Sequence, residues 1–201
     1  MDFDHTIYLL SSDFITDYPP TKYPELMHKQ GRPYTCLLID SHDGYFICVP
    51  FRSSIHHKNA FLFKSTLRSR RTSSGLDYTK MVLIEDSRYI DSSHPAIVDS
   101  DEYHELLLHL PQIVSEVIEY VDCYVNHING KSPLHPREFL RKYQYSTLAY
   151  FHDILGLPFE VTTDMPNQET VSAMLEAERI AQDSSVKGYT DVDELFADLK
   201  K

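Results

Sequence analysis

The segment Pro50-Phe51-Arg52-Ser53-Ser54-Ile55-His56-His57-Lys58 places two hydroxyls, a guanidinium, two imidazoles and an ammonium within nine residues, directly after an apolar strand-like run. Cleavage of an RNA phosphodiester without a metal needs little more. A base must take the ribose 2′-OH proton, a cation must stabilise the crowded phosphorane, and an acid must protonate the leaving 5′-oxygen. A loop fed by a scaffold strand is a common place for such groups. The plainer alternative is that Ser53 and Ser54 are turn residues and His56 and His57 lie on the surface. Arg32 and Tyr34 open the strand expected to pair with the site strand, which brings them towards the same loop.

Other chemistries fit less well. His56 and His57 are adjacent and point apart on any regular element, and no HxxxH or HExxH spacing occurs. The six glycines form neither a GxxxxGK[ST] nor a GxGxxG phosphate loop. No metal site and no cofactor are therefore expected. Cys48 falls in a strand-like run and reads as a small core residue. Asp101, Glu102 and Glu105 read as surface acids at a helix start.

The net charge of −11 argues at first against a nucleic-acid partner. Its distribution argues otherwise. Residues 152–201 carry −7, whereas Arg52, Lys58, Lys64, Arg68, Arg70, Arg71 and Lys80 outweigh the single acid Asp77 to give +6 over 52–80. Such a stretch suits an anionic partner, and an acidic tail can compete for it. No run approaches the ~18 apolar residues of a membrane span. The acidic start, Met1-Asp2-Phe3-Asp4, is unlike a signal peptide. Three cysteines without CxxC spacing suit a reducing cytosol.

The elements that must position the loop follow from periodicity. Strands are expected at 6–10, 34–40, 44–50, 60–63 and 80–84, with a brief helix capped around Ser11–Asp13. A hairpin turning at Asp43-Gly44 joins the second and third strands. The Ser- and Arg-rich stretch 68–75 reads as a mobile loop. Leu110, Val114, Val117, Val121, Tyr124 and Ile128 form one stripe of a long helix ended by Gly130, with Pro111 as its start and 101–110 as a separate turn or helix. Pro136 opens another helix. The fold class is α+β, with helices on one face of a mostly antiparallel sheet. Beyond Gly156-Leu157-Pro158, two amphipathic helices from Asn167 and from Thr190 are too small to be stable alone, so they must dock on this chain or a partner.

In order and spacing, Tyr8, Arg32-Pro33-Tyr34, Val49-Pro50-Phe51-Arg52-Ser53, Gly75-Leu76-Asp77-Tyr78-Thr79-Lys80 and the helical pair resemble the endoribonuclease toxins of type III toxin–antitoxin systems, the ToxN, CptN, TenpN and AbiQ group. The resemblance covers residues 1–152. It implies a compact, barrel-like antiparallel sheet related to that of MazF and Kid, with C-terminal helices. It also implies metal-independent cleavage of mRNA to a 2′,3′-cyclic phosphate in the bacterial cytoplasm, and inhibition by a repeat RNA antitoxin, often in a closed toxin–RNA ring. The family's Thr-Ser pair appears here as Arg52-Ser53, making Ser53 and Arg52 the catalytic candidates. Its lysine beyond the serine has no direct equivalent, and His56 or Lys58 can serve instead. Arg32, Tyr34, Ser54, His57, Lys64, Arg68, Arg70, Arg71 and Lys80 are the RNA-binding candidates, with Tyr34 placed to stack a base.

Pro166-Asn167-Gln168-Glu169-Thr170, Glu176-Ala177-Glu178-Arg179-Ile180 and Val186-Lys187-Gly188-Tyr189-Thr190 to Asp198-Leu199 resemble the tail of RelB/DinJ-type antitoxins, plus the preceding Gly156–Val161 exit. Residues 153–201 then form a short helical antitoxin-tail segment, with a RelE/YafQ-like protein as the implied partner of 160–201. The alternative function is a catalytically weak or inactive module that binds RNA or protein and neutralises such a toxin through this tail.

Overall fold

The Asp-Gly signal marks a real hairpin. Strands β2 (Thr35–Asp40) and β3 (Phe46–Arg52) pair antiparallel from Asp40↔Phe46 to Cys36↔Pro50. The computed structural model describes residues 7–27 and 33–158. The chain divides into two units, Met1–Phe159 and Glu160–Lys201, and every described residue belongs to the first. The tail expectations for 160–201 and the Arg32 assignment lie outside the described residues. The turn itself is wider than a two-residue one. Ser41 N–H donates to the Tyr45 carbonyl at 3.2 Å, and both His42 and Gly44 take positive φ.

On the outer side of β2 lies β1 (Ile7–Leu10), which in turn pairs with a short strand, Ile90–Asp91. The other edge of β3 is shared by two partners. Strand Val82–Ile84 pairs with Phe46–Cys48, and strand Gly75–Asp77 pairs with Phe51 and Arg52. Strand Ala60–Leu62 adds outside the latter. We number these β4 (Ala60–Leu62), β5 (Gly75–Asp77), β6 (Val82–Ile84) and β7 (Ile90–Asp91). Val49 and Pro50 have no register partner on that edge. Pro50 has no N–H to donate, so it sits in mid-strand at the point where the neighbour changes. The result is a seven-stranded antiparallel sheet with β4 and β7 at its ends, and the path between them does not close.

The expected strand over 80–84 starts late. Asp77 accepts from the Thr79 N–H and turns Tyr78–Lys80 into a 3-10 helix, so β6 begins at Val82. Near the N-terminus, Ser11 caps α1 (Ser12–Asp17) through the Phe14 N–H.

Helix α2 runs unbroken from Ser100 to Ile128. Pro111 therefore lies inside it, not at its start, and 101–110 is not a separate turn or helix. The proline stands on the exposed face, and the carbonyl it frees four residues back belongs to Leu107, itself 45% exposed. The buried stripe is Leu106, Ile113, Val117, Tyr120, Val121 and Tyr124, whereas Leu110, Val114 and Ile128 are only half-buried. Gly130, at positive φ, ends the helix as expected. Helix α3 (Pro136–Tyr143) packs its Phe139 and Tyr143 rings on Tyr120 and Tyr124, at centroid separations of 4.7–5.9 Å.

Gly75 is the most closely approached of the described glycines. A Cβ there would lie 1.9 Å from the Phe61 carbonyl oxygen and 2.9 Å from the Leu62 Cα, both backbone atoms of β4. Gly75→Ala must therefore push β4 away from β5. We expect a loss of about 2–3 kcal/mol in urea unfolding; an unchanged midpoint would refute this close approach.

Candidate active site

Asp77 ends β5 and is only 3% exposed. A buried carboxylate must be matched, and here four groups match it. The Thr79 N–H and hydroxyl donate to Oδ1 at 3.0 and 2.7 Å. His57 Nε2 lies 3.4 Å from Oδ1, and Arg52 Nε lies 3.6 Å from Oδ2. Arg52 is the last residue of β3 and pairs with Gly75, so the register of two strands brings the guanidinium beside Asp77. One of its terminal nitrogens meets the Met27 thioether, at 3.4 Å. Thioether sulfur is a weak acceptor, which an incoming anion displaces readily.

After Arg52 the chain turns sharply. Ser54 takes φ 60°, a left-handed conformation that costs a non-glycine residue about 1–2 kcal/mol. The next residue secures the turn: Ile55 is buried, and its N–H donates to the Ser73 carbonyl at 2.9 Å. Ser53 and Ser54 are left exposed at the apex.

Arg52 and Ser53 stand between two cavities. One, of about 260 Å³, is lined by Pro33, Tyr34, Phe51, Arg68, Ile97 and Glu102 among others. The second, of about 350 Å³, also takes in Ser54, His57, Asp77, Lys80, Arg141, Lys142 and Tyr145. Met27, Arg52 and Ser53 line both. Of the sequence candidates, the structure thus brings Arg52, Ser53, Ser54, His57, Tyr34, Arg68 and Lys80 to these cavities. His56 and Lys58 are exposed and line neither. His57, not His56, is the imidazole directed at Asp77.

Two candidates have prior commitments. Lys80 is buried, with Nζ 2.5 Å from Glu25 and 2.7 Å from the Tyr145 carbonyl. Tyr34 donates its hydroxyl to the Lys80 carbonyl, and burial raises its phenol well above the ordinary value.

The stretch 64–74, which overlaps the 68–75 loop, is fastened at its two ends to the start of α2 and the residue before it. Glu105 accepts from the Lys64 and Ser65 N–H groups at 2.7 and 2.9 Å, and Asp101 accepts from Leu67 N–H at 2.6 Å. Arg68 pairs with Asp99 at 2.7 Å, and the Ser74 hydroxyl donates to Glu102 at 2.9 Å. Glu102 and Glu105 are therefore buried anchors rather than surface acids, and burial pushes the Glu102 carboxyl upward. Lys64, Arg70 and Arg71 remain exposed without an ion pair among the described residues.

The groups that sequence reasoning missed are Asp77, Glu25, Arg141, Lys142 and Tyr145. Asp77 had a signal, as the lone acid in the basic stretch; Arg141, Lys142 and Tyr145 lie some ninety residues from the loop and had none. No protein-family model matches the chain, and neither a curated protein nor a solved structure does. The site's function is thus read from its own groups. Asp77→Ala strands Arg52 and His57 and uncaps the 78–80 turn, for an expected loss of about 3 kcal/mol in thermal unfolding. Asp77→Asn keeps an acceptor for Thr79 and should lose less. A loss below about 1 kcal/mol for the alanine variant would show that the carboxylate is not the anchor described.

Proposed function

We propose that the chain is a metal-independent endoribonuclease toxin of a type III-like toxin–antitoxin system. The observation that carries this reading is the juxtaposition of Arg52, Ser53 and His57 at one cleft, with Asp77 holding the guanidinium and the imidazole beside the hydroxyl. The resemblance of residues 1–152 to those toxins supports it, and on this reading the antiparallel sheet is the counterpart of their barrel-like one.

In the proposed step the ribose 2′-oxygen attacks phosphorus, the P–O5′ bond breaks, and a 2′,3′-cyclic phosphate and a 5′-hydroxyl remain. His57 is the group for proton transfer, since one nitrogen of a neutral imidazole accepts a proton while the other donates one: it takes the 2′-OH proton, and the leaving 5′-oxygen receives one in turn. Asp77 is a positioning residue that orients the ring. Arg52, anchored through Nε, turns its remaining N–H groups to the phosphorane, the charge that must be stabilised most. Ser53 offers a hydroxyl to the same phosphate oxygens. By the same resemblance, a repeat RNA inhibits the enzyme in the bacterial cytoplasm, in a closed toxin–RNA ring; by the separate resemblance of the tail to RelB/DinJ-type antitoxins, residues 160–201 engage a RelE/YafQ-like protein.

The test is hydrolysis of a labelled single-stranded RNA by the purified full chain in EDTA. Arg52→Ala should lower the rate by about 10²–10³-fold, and Ser53→Ala and His57→Ala should also slow it. Absence of cleavage, or a rate indifferent to Arg52 and Ser53, would overturn the reading in favour of a binding module.

A further inference from the structure

We infer that α3 and the residue pair after it form the substrate-binding wall of this cleft, with Tyr145 as a platform for one unpaired RNA base and Arg141 and Lys142 as contacts for the neighbouring phosphates. The inference rests on the cleft being an RNA site and names the part of the RNA that α3 holds.

Charge accounting inside the cleft leads to it. Each acid lining the cavity is already matched: Glu25 by Lys80, and Asp77 by Arg52 and His57. Two cations lining the same cavity have no carboxylate: among the described residues Arg141 makes no ion pair, and Lys142 Nζ lies only over the Tyr120 and Tyr143 rings, at 5.5 and 5.4 Å. Unmatched cations in a cleft attract an anion, and a chain of phosphates supplies one at each step.

An exposed aromatic ring stands with them. Tyr145 is 55% exposed although it lines the cavity. Its backbone is not free to drift, because its carbonyl accepts from buried Lys80, and Ser146 N–H bonds back to Tyr143 at 2.9 Å. The same short segment is tied to the site loop by Asn59, which donates to the Lys142 carbonyl at 3.0 Å. A ring held at fixed height beside phosphate-binding cations is how proteins grip single strands, since every base offers a face to stack on. A duplex keeps its bases stacked inside and gains nothing from it. Tyr34, whose hydroxyl is tied to Lys80, is half-buried; Tyr145 is the better-exposed ring.

The test uses fluorescence anisotropy with the full chain and a labelled, mixed-sequence, fully 2′-O-methyl single-stranded RNA, which cannot undergo 2′-OH attack. Tyr145→Ala should weaken binding about tenfold, and Tyr145→Phe, which keeps the ring, should bind like the parent. Arg141→Gln with Lys142→Gln should make the slope of log affinity against log salt shallower by about 1.4. A parent that does not bind, an alanine variant that binds like the parent, or a phenylalanine variant as weak as alanine would each overturn the inference. These outcomes are independent of cleavage. Ring-dependent binding with no hydrolysis of the unmodified RNA sinks the nuclease and leaves the binding wall standing. Hydrolysis with ring-independent binding does the reverse.

Discussion

The geometry of this cleft depends on one buried carboxylate. Asp77 sits where β5 ends, and its two oxygens reach the end of β3 through Arg52, the following loop through His57, and the 78–80 turn through Thr79. The end of β3 and the loop after it, twenty to twenty-five residues before Asp77, are thereby fixed within a few ångströms of the turn that follows it. A carboxylate this deep is costly unless fully matched, so losing any one partner weakens the case for burying it at all. The same requirement makes the arrangement cooperative: two of the groups that stabilise Asp77, Arg52 and His57, are groups the proposed chemistry uses.

Helices complete what Asp77 begins. The α3 segment reaches the site by three bonds, from Asn59 to the Lys142 carbonyl, from Lys80 to the Tyr145 carbonyl, and from the Thr147 hydroxyl to the Thr79 carbonyl. Aromatic packing of Phe139 and Tyr143 on α2 holds that segment from the other side. The first turns of α2 act on the opposite flank, where Asp99, Asp101, Glu102 and Glu105 satisfy the 64–74 loop. Much of the acid that offsets the basic stretch is therefore structural, and the cations left over are those facing the cleft or solvent.

Elements with a local cause were legible in the sequence. The β2–β3 hairpin follows from two apolar strands around a polar turn, and the end of α2 and start of α3 follow from Gly130 and Pro136. The continuation of α2 through Pro111 was not, because the cost of a proline depends on whether the freed carbonyl faces water, which periodicity does not encode. Nor was the burial of Glu102 and Glu105, whose partners lie 28 to 41 residues earlier and are mostly backbone N–H groups. At the site, Arg52 and Ser53 were legible as the first polar residues after a strand. The choice of His57 over His56 turns on which way the loop residue faces, and Arg141, Lys142 and Tyr145 reach the cleft only through tertiary packing.

The central claim is that these groups make the RNA its own nucleophile. The chemistry of the cut ends tests that most directly. Mass spectrometry of the fragments released in EDTA should show 5′-hydroxyl ends and 2′,3′-cyclic phosphates, and placing 2′-deoxyribose at the cleaved position should abolish the cut. Fragments bearing 5′-phosphate and 3′-hydroxyl ends, or cleavage at the deoxy position, would contradict it.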